Sequence, residues 1–334
     1  MARLRVLTGI TTSGRPHIGN LCGAILPAIN ESNNKDVDSF LFLADYHSLI
    51  KSQDPITTHN SSIEMAACWL ACGLDLKKTT FYRQSDIPHI MELNWILSCV
   101  TEKGLLNRAH AYKAAVDKNN QKYPDKNINM GLFNYPILMA SDILMFNANI
   151  IPVGQDQIQH VEIARDVATK FNHHYQKIFN LPEARIQKNK GILLGLDGLK
   201  MSKSYGNEIS IFLDSNTLRK KVMKIKTNSL KPGEPKDPKS CTIFNLYSHF
   251  SSKEDLNNLS KHYENGISWG EAKELLFQLL DDNLSNYRKE YNKLIDDKQY
   301  LEGALTSGAE KAIQVSEPLI QEIRKLVGIR KIGG

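Results

Sequence analysis

The first 85 residues alternate short apolar runs with longer stretches of helical periodicity, and this alternation constrains the fold more than any other feature. Residues 5–9, 39–45 and 79–83 are short and apolar enough to be buried strands. Between them, residues 18–31 and 58–72 repeat their apolar side chains at helical spacing. Strands that alternate with helices form parallel βαβ units, so the pattern predicts a doubly wound α/β sheet.

The rest of the chain is predicted to be mostly helical. Residues 105–179 show helical patterns interrupted by one strand-like piece at 149–153, whereas residues 181–204 are predicted to be mostly loop. The last third shows helical patterns throughout. We therefore predict an α/β domain over residues 1–205, with a mainly helical insertion at about 105–179, and an all-helical domain over residues 206–334.

The composition narrows the class of protein. Hydrophobic residues make up 41% of the chain and charged residues 23%, which is typical of a globular protein. No apolar run reaches the roughly 18 residues that a membrane span needs, and the N-terminus lacks a secretory signal, so we expect a cytoplasmic protein without a membrane partner. The five cysteines include no CxxC pair, which predicts reduced thiols and no metal site.

The charge distribution is compatible with a polyanionic partner. The net charge is +6 and the pI is near 8.9. Residues 215–239 contain eight basic residues and two acidic ones. Such a run can be a solvated helix and loop, or it can face nucleic-acid phosphates, and the composition leaves both interpretations open.

The loop of residues 11–20 joins the first strand to the first helix. Gly14 and Gly19 permit close backbone approach, and the helix N-terminus behind them offers N–H groups to a phosphate. The loop also contains hydroxyl and imidazole donors, which are Thr11, Thr12, Ser13 and His17. It is neither a P-loop nor a GxGxxG fingerprint, so it needs a second feature before it predicts phosphate binding.

A second polar loop occupies residues 200–204, with the sequence Lys-Met-Ser-Lys-Ser. Glycines on both sides predict a mobile backbone. The ammonium groups of Lys200 and Lys203 can close on a triphosphate and offset the charge that develops in a transition state. A surface loop without a function can have the same composition, so this loop alone does not decide the matter.

Together the two loops resemble the paired signatures of class I aminoacyl-tRNA synthetases. His17-Ile-Gly-Asn20 is similar to the HIGH motif, and residues 200–204 match KMSKS letter for letter. Their order and their separation of about 180 residues also agree with that family. Asn20 stands where the motif name has its second histidine, and the tryptophanyl branch commonly has asparagine there. The resemblance implies a Rossmann-like catalytic domain that contains the KMSKS loop, followed by a helical domain that binds the tRNA anticodon.

An acidic residue lies inside a predicted helix that is apolar on every side. Asp142 belongs to the segment 135–146, in which Pro136 is expected to occupy the first helical turn and Met139 shares a face with the carboxylate. A buried carboxylate needs a donor, either from the protein or from a ligand. An indole offers one N–H and a large apolar ring, so a carboxylate beside a methionine suits tryptophan and rejects phenylalanine.

The segment 153–160 is predicted to leave a strand and open a helix. There Gly154 lets a nucleotide approach the backbone, and Gln157 can hold the polar end of an amino acid; a solvent-facing helix start is the alternative. The motifs YPxLMAxDIL, VPVGxDQxQHxE and LPEARI resemble bacterial tryptophanyl-tRNA synthetases from Leu7 to about Ser204, and less closely near residues 308–311.

This resemblance assigns roles to individual residues. The expected catalytic residues are His17, Lys200, Ser202 and Lys203. The expected ATP contacts are Thr11, Thr12, Ser13, Gly19, Asn20, Gly154, Gln155, Asp156, Leu193, Lys200, Met201, Ser202, Lys203 and Ser204. The expected tryptophan contacts are Leu7, Gly9, His47, Tyr135, Met139, Asp142, Ile151, Val153 and Gln157. Thr11 stands where the resemblance leads us to expect a glutamine, so a contact made by a glutamine amide there is not expected in this chain.

The resemblance implies two reaction steps. Tryptophan attacks the α-phosphate of ATP with magnesium, and the adenylate then passes its acyl group to tRNA(Trp) on a homodimer. No tightly bound cofactor and no DNA partner are expected. Three alternatives stay open: a tyrosyl-tRNA synthetase, a nucleotidyltransferase with an HxGH motif that makes a dinucleotide cofactor, and a non-catalytic RNA-binding paralogue. Met139 and Asp142 argue against the first, and the long helical C-terminal region argues against the second.

Overall fold

Five strands form one parallel sheet in the part of the chain that the structure, a computed structural model, describes, which comprises residues 3–12, 14–119, 122–186 and 191–332. The strands are Leu4–Thr11 (β1), Val37–Ala44 (β2), Thr79–Arg83 (β3), Ile150–Val153 (β4) and Glu183–Ile186 (β5). Their order across the sheet is β3-β2-β1-β4-β5. The first four strands lie where the sequence predicts them.

The fifth strand corrects the prediction of a loop-rich segment after residue 181. β5 pairs with β4 alone, from Ile150 with Glu183 to Val153 with Ile186, and all four of its residues are exposed. Because no residue of this edge strand is buried, no apolar alternation is imposed on its sequence. Its sequence therefore carries no strand pattern, and the pairing with β4 creates it.

The helices account for most of the remaining described residues. They are Ile18–Asn20 (α1), Leu26–Ser32 (α2), Asp45–Ser48 (α3), Pro55–Ala71 (α4), Pro88–Val100 (α5), Lys103–Leu106 (α6), His110–Val116 (α7), Met130–Met145 (α8), Ile158–His174 (α9), Ser215–Met223 (α10), Thr242–Phe250 (α11), Lys253–Glu264 (α12), Trp269–Asp296 (α13) and Lys298–Leu326 (α14). A π-helical stretch, Leu21–Ile25, joins α1 to α2. None of the described helices is long and apolar enough to cross a membrane.

Helix α8 begins earlier than the sequence predicts. Its N-cap is Asn129, whose side chain accepts a hydrogen bond from the backbone N–H of Leu132 at 2.8 Å. Pro136 therefore lies inside the helix, and the prediction that it occupies the first turn is wrong. Proline has no N–H and therefore removes one hydrogen bond inside the helix, which favours a helix start at Pro136. The hydrogen bond at the Asn129 N-cap stabilises the earlier start that the structure shows.

The two larger hydrophobic cores among the described residues cover the two faces of the sheet. One contains Trp69 of α4 and Leu280 of α13, so the C-terminal helices share a core with the helices that follow β1 and β2. The other contains Tyr82 of β3 and Ile143 of α8. The predicted Rossmann-like α/β fold with a helical insertion and a helical C-terminal region is confirmed.

The sheet topology sets the position of the site. β1 leads through α1 and α2 to β2 on one side, and its neighbour on the other side is β4. A crevice opens at the carboxyl ends of parallel strands where the winding direction reverses, and ligands bind in such crevices. The loop after β1 and the turn after β4 both end at this crevice.

Candidate active site

A cavity of about 390 Å³ lies at the carboxyl ends of β1 and β4. All nine residues expected to contact tryptophan line it: Leu7, Gly9, His47, Tyr135, Met139, Asp142, Ile151, Val153 and Gln157. They come from two strands, a short helix, the buried helix α8 and the turn before α9. The fold therefore gathers residues spread over about 150 positions of the sequence.

Several residues of the cavity wall are absent from the sequence prediction, among them Phe42, Ser48, Lys51 and His160. Gly9 and Phe42 are partners across β1 and β2, and a Cβ at position 9 would lie 2.4 Å from the Phe42 ring. Glycine at position 9 thus lets an aromatic ring of β2 reach into the cavity. Phe42 could have been predicted, because it lies near the carboxyl end of β2, a strand that the sequence predicts clearly, and strand ends border the crevice.

Asp142 lies at the cavity wall with only 1% of its surface exposed. Its Oδ2 is 2.9 Å from Nε2 of His47, and its Oδ1 accepts a hydrogen bond from Nε2 of Gln84 at 2.7 Å. Burial raises the pKa of the Asp142 carboxyl, and the bonds from His47 and Gln84 oppose that rise. The carboxylate therefore has donors from the protein and also lines the cavity, where a ligand could donate to it. The two sources of a donor that the sequence left open are compatible with each other.

Two further residues of the cavity wall, Tyr135 on α8 and His160 on α9, contact each other. Tyr135 and His160 are joined by a hydrogen bond of 2.7 Å between the phenol oxygen and Nε2. Burial lowers the pKa of His160, which keeps its ring neutral. The residues expected to approach ATP from this side, Gly154 to Asp156, are exposed at the carboxyl end of β4.

The loop after β1 is held by hydroxyl groups from neighbouring helices. Thr12 is buried, and its hydroxyl lies 2.9 Å from that of Ser48. Gly14 has a φ of +69°, and its N–H donates to the Ser61 hydroxyl at 3.2 Å. Thr11 lines the cavity. Ser13, an expected ATP contact, lies outside the residues that the structure describes.

His17 and Asn20 form a reciprocal cap at the start of α1. Nδ1 of His17 accepts from the Gly19 N–H at 3.1 Å, and the Asn20 side-chain oxygen accepts from the His17 N–H at 3.1 Å. Because Nδ1 is an acceptor, the proton of the neutral ring belongs on Nε2. Burial, helped by the nearby Lys203 ammonium, lowers the pKa of His17 to about 4. The asparagine that departs from the HIGH motif thus completes a cap.

The KMSKS loop follows a small hairpin. Met201 is buried, and its N–H donates to the carbonyl of Leu193, which is also buried. The side chain of Asn207 contacts the loop at two backbone groups: its oxygen accepts from the Ser202 N–H at 2.8 Å, and its nitrogen donates to the Lys200 carbonyl at 3.2 Å. Asn207 is not among the site residues that the sequence predicts. The side chain of Ser204 lies outside the described residues.

The two signature loops meet in space. The N–H of Ile18 donates to the carbonyl of Ile209 at 2.9 Å, and His17 pairs with Ser210 in an antiparallel bridge. The ammonium of Lys203 lies 3.6 Å from the position that a Cβ of residue 14 would take. Burial lowers the pKa of Lys203. Contacts just beyond the second loop therefore accompany the approach of Lys203 to the first loop.

The basic segment 215–239 is partly occupied by contacts within the molecule. Arg219 forms an ion pair with Glu274 at 2.8 Å, and the Lys221 ammonium donates to a backbone carbonyl at 2.9 Å. Lys236 is buried, and its ammonium donates to two backbone carbonyls at 2.9 Å. At least three of the eight basic residues thus have structural partners, which leaves fewer for a nucleic-acid phosphate.

The site combines a parallel sheet, a cavity at the carboxyl ends of its strands, and two loops with groups that can bind phosphate. This combination is typical of class I aminoacyl-tRNA synthetases. A family model described as "tRNA synthetases class I (W and Y)" matches residues 1–285. The chain belongs to this family of aminoacyl-tRNA synthetases.

Individual relatives agree with the family. The chain is 52% identical to a tryptophan–tRNA ligase of Neisseria meningitidis, over 99% of this chain and all of that protein. It is 54% identical to a tryptophan–tRNA ligase of Pseudomonas aeruginosa, over 98% of this chain and 74% of that protein. The crystal structure of tryptophanyl-tRNA synthetase from Campylobacter jejuni, complexed with ADP and tryptophan, is similar with a TM-score of 0.90 and 41% identity, covering 97% of this chain and 100% of that one.

Proposed function

We propose that this chain uses ATP to convert L-tryptophan into tryptophanyl-adenylate and then transfers the tryptophanyl group to tRNA(Trp). The observation that carries the proposal is the buried Asp142 carboxylate in a cavity of about 390 Å³ whose wall includes Thr11 of the first signature loop. The tryptophan–tRNA ligases that share about half of their residues with this chain support the same reaction.

The cavity is suited to an indole because it combines apolar walls with one carboxylate. The ring N–H would donate to Asp142, and the ring would pack against Met139, Ile151 and Val153. Each carboxylate oxygen has two lone pairs, so Asp142 can accept this bond while it keeps those from His47 and Gln84. A phenylalanine ring would leave the carboxylate without the added donor, and that loss rejects it.

The remaining cavity residues suit the rest of the amino acid. Leu7 and Gly9 on β1 would line the ring pocket, while Tyr135 and Gln157 would hold the amino and carboxylate groups. His47 is a neighbour of Asp142, so it would contact the bound molecule from the same side as the carboxylate. The tryptophan carboxylate would then point toward the loops, where the α-phosphate of ATP would sit.

The two loops suit the triphosphate of ATP. His17, kept neutral by its lowered pKa, would donate a hydrogen bond from Nε2 to a phosphate oxygen. Lys200 and Lys203 would stabilise the negative charge that develops as pyrophosphate leaves. The further contacts proposed are Thr11, Thr12, Ser13, Gly19, Asn20, Gly154, Gln155, Asp156, Leu193, Met201, Ser202 and Ser204.

The first step needs no protein nucleophile. The tryptophan carboxylate oxygen forms a bond to the α-phosphorus, the bond to the β-phosphate oxygen breaks, and pyrophosphate leaves with the electron pair. ATP enters as its magnesium complex, because Mg²⁺ is bound mainly through substrate phosphates and water. The protein contributes positioning and electrostatic stabilisation.

The second step requires tRNA as the acceptor of the acyl group. We infer that the helical region 206–334 contacts the anticodon end and that two copies of the chain form a homodimer in the cytoplasm. The net charge of +6 supports a polyanionic partner. The exposed basic residues of segment 215–239 would contribute salt-sensitive affinity.

Tryptophan-dependent exchange of pyrophosphate into ATP tests the proposal. We expect exchange with tryptophan and little with tyrosine, and we expect Asp142→Ala to lower kcat/KM for tryptophan by about 100-fold or more, because the ring N–H loses its acceptor. Asp166→Ala, an exposed change on α9, is the control and should leave exchange unchanged. Exchange that depends on tyrosine would identify a tyrosyl enzyme, and exchange without any amino acid or no exchange at all would contradict the proposal.

A further inference from the structure

Gln84 supports the Asp142 carboxylate from behind the cavity. The Gln84 side chain is fully buried, and its Nε2 donates to Asp142 Oδ1 at 2.7 Å. The second donor, His47, lines the cavity, whereas Gln84 is not part of the cavity wall. Gln84 therefore acts on whatever occupies the cavity only through Asp142.

The position of Gln84 follows from the sheet. Gln84 is the first residue after β3, in a short 3-10 turn formed by Gln84–Asp86. This turn is tied to α3, the helix that carries His47, because the Ser85 N–H and hydroxyl both donate to the Asp45 carboxylate, at 3.1 and 2.5 Å. A second carboxylate, Asp45, thus links the two segments that carry the donors to Asp142, at the ends of adjacent strands.

The orientation of the Gln84 amide is dictated by chemistry. An ionised carboxylate is only an acceptor, so the NH₂ group of Gln84 must face Asp142. The amide oxygen then points away, and it has no hydrogen-bond partner among the described residues although it is buried. A methionine of similar length would not bury that oxygen. Glutamine at this buried position therefore costs stability, because its amide oxygen is desolvated without a partner among the described residues. The hydrogen bond to Asp142 is the interaction that a methionine could not make.

We propose that Gln84 is a positioning residue for amino-acid selection, which holds Asp142 in the orientation that makes a ring N–H a requirement for binding. The proposal rests on the proposed function, in which Asp142 accepts the indole N–H. Gln84 bonds Oδ1 and His47 bonds Oδ2, so the carboxylate group is held in one orientation about its Cβ–Cγ bond. Its remaining lone pairs therefore point in fixed directions. Without Gln84, Oδ1 loses its donor and the carboxylate can turn.

The test is a comparison of tryptophan with β-(3-benzothienyl)alanine, in which sulfur replaces the ring N–H. In Gln84→Met we expect kcat/KM for tryptophan-dependent exchange to fall by about 10- to 100-fold. The benzothienyl analogue makes no bond to Asp142, so its kcat/KM should change by less than about 3-fold. A residue that merely supported the pocket would lower both values equally.

Tyr82→Phe is the matched control, because Tyr82 is an equally buried neighbour on β3 whose hydroxyl has no hydrogen-bond partner among the described residues. Tyr82→Phe should leave kcat/KM unchanged for tryptophan and for the benzothienyl analogue. Gln84→Leu, which also lacks the donor, replaces Gln84→Met if that variant fails to fold. An equal fall for tryptophan and the analogue, or no fall for either, overturns the role of Gln84. If Asp142→Ala leaves tryptophan exchange intact, the assignment of Asp142 in the proposed function fails as well.

Discussion

At the residue scale, His17 shows how burial prepares a functional group. The residue is 8% exposed, and its ring lies near the Lys203 ammonium and accepts a hydrogen bond from a backbone N–H at Nδ1. All three conditions favour the neutral ring, and the last leaves the proton on Nε2, where it can donate to a phosphate. The lowered pKa of His17 is therefore a consequence mainly of burial and secondly of the Lys203 ammonium, which lies near the first loop.

The lowered pKa of His17 predicts a specific loss of stability in acid. The folded ring has a pKa of about 4 and the unfolded ring the ordinary value of 6.5, so below pH 6.5 the unfolded chain takes up a proton that the folded chain refuses. The contribution is full above pH 6.5 and is lost as pH falls toward 4. At pH 5 we expect the loss to be about 2 kcal/mol.

Urea unfolding of the original chain and of His17→Asn at pH 7.5 and pH 5 measures this effect. Asparagine keeps a cap acceptor but does not titrate, so the difference between the two chains isolates the histidine. The original chain should lose more free energy of unfolding between the two pH values than the variant does. Parallel pH profiles would contradict the assigned pKa shift.

At the element scale, the KMSKS loop depends on one side chain that follows it. Asn207 is buried, bonds the backbone at Lys200 and Ser202, and also donates to the Asp197 carboxylate at 2.7 Å. Two of these bonds attach the backbone between the two loop lysines to the Asn207 side chain. The loop that the sequence predicts to be mobile is thus anchored at its base.

We expect Asn207→Ala to lower kcat for pyrophosphate exchange by about 10- to 100-fold, because misplaced lysines stabilise the departing pyrophosphate poorly. The KM for tryptophan should change by less than about 3-fold, since the side-chain cavity is untouched. Steady-state exchange kinetics with ATP and tryptophan varied separately provide the measurement.

Asn172→Ala is the matched control for this prediction. Asn172 also makes three hydrogen bonds to a loop, to the backbone of residues 178 and 179, but that loop lies away from the site. This variant should lower stability and leave kcat per folded molecule unchanged. An unchanged kcat in Asn207→Ala, or an equal loss in both variants, would show that Asn207 does not position the loop.

At the scale of the whole molecule, the C-terminal helix α14 covers the exposed edge of the sheet at β3. A Cβ at Gly308 would lie 1.6 Å from the carbonyl oxygen of Phe81, so the backbones of helix and strand are in direct contact. Covering an edge strand removes a surface that would otherwise pair with another chain. The ion pair between Arg83 and Glu302, at 2.7 Å, lies in the same interface.

Gly308→Ala should destabilise the protein because α14 must move away from β3. We expect a loss of about 2 kcal/mol, the cost of overpacking, even though alanine favours helix. Gly303→Ala on the same helix is the control: nothing lies within 4 Å of its added Cβ, so it should stabilise by up to about 1 kcal/mol. Denaturant unfolding measures both, and equal effects in the two variants would contradict the close contact.

The fold was predictable because its signals are local. Strand β2 is a nearly continuous buried run, and β1 and β3 each contain a pair of adjacent buried apolar residues. The helices between these strands keep their apolar side chains at helical spacing. The edge strand β5 was not predictable, since an exposed strand has no such pattern and exists because β4 offers it a partner. The cavity residues followed from the resemblance, because the fold of relatives had already brought them together.

By itself, the sequence determined the alternating pattern of strands and helices, the two signature loops and the presence of a carboxylate inside an apolar helix. Only the tertiary structure decided which groups meet that carboxylate: His47 is 95 positions away along the chain, and Gln84 is 58 positions away. The same holds for Asn207 beneath the KMSKS loop and for Lys203 beside Gly14. Periodicity reports how a segment buries its own side chains, whereas contacts between distant segments depend on how the whole chain packs.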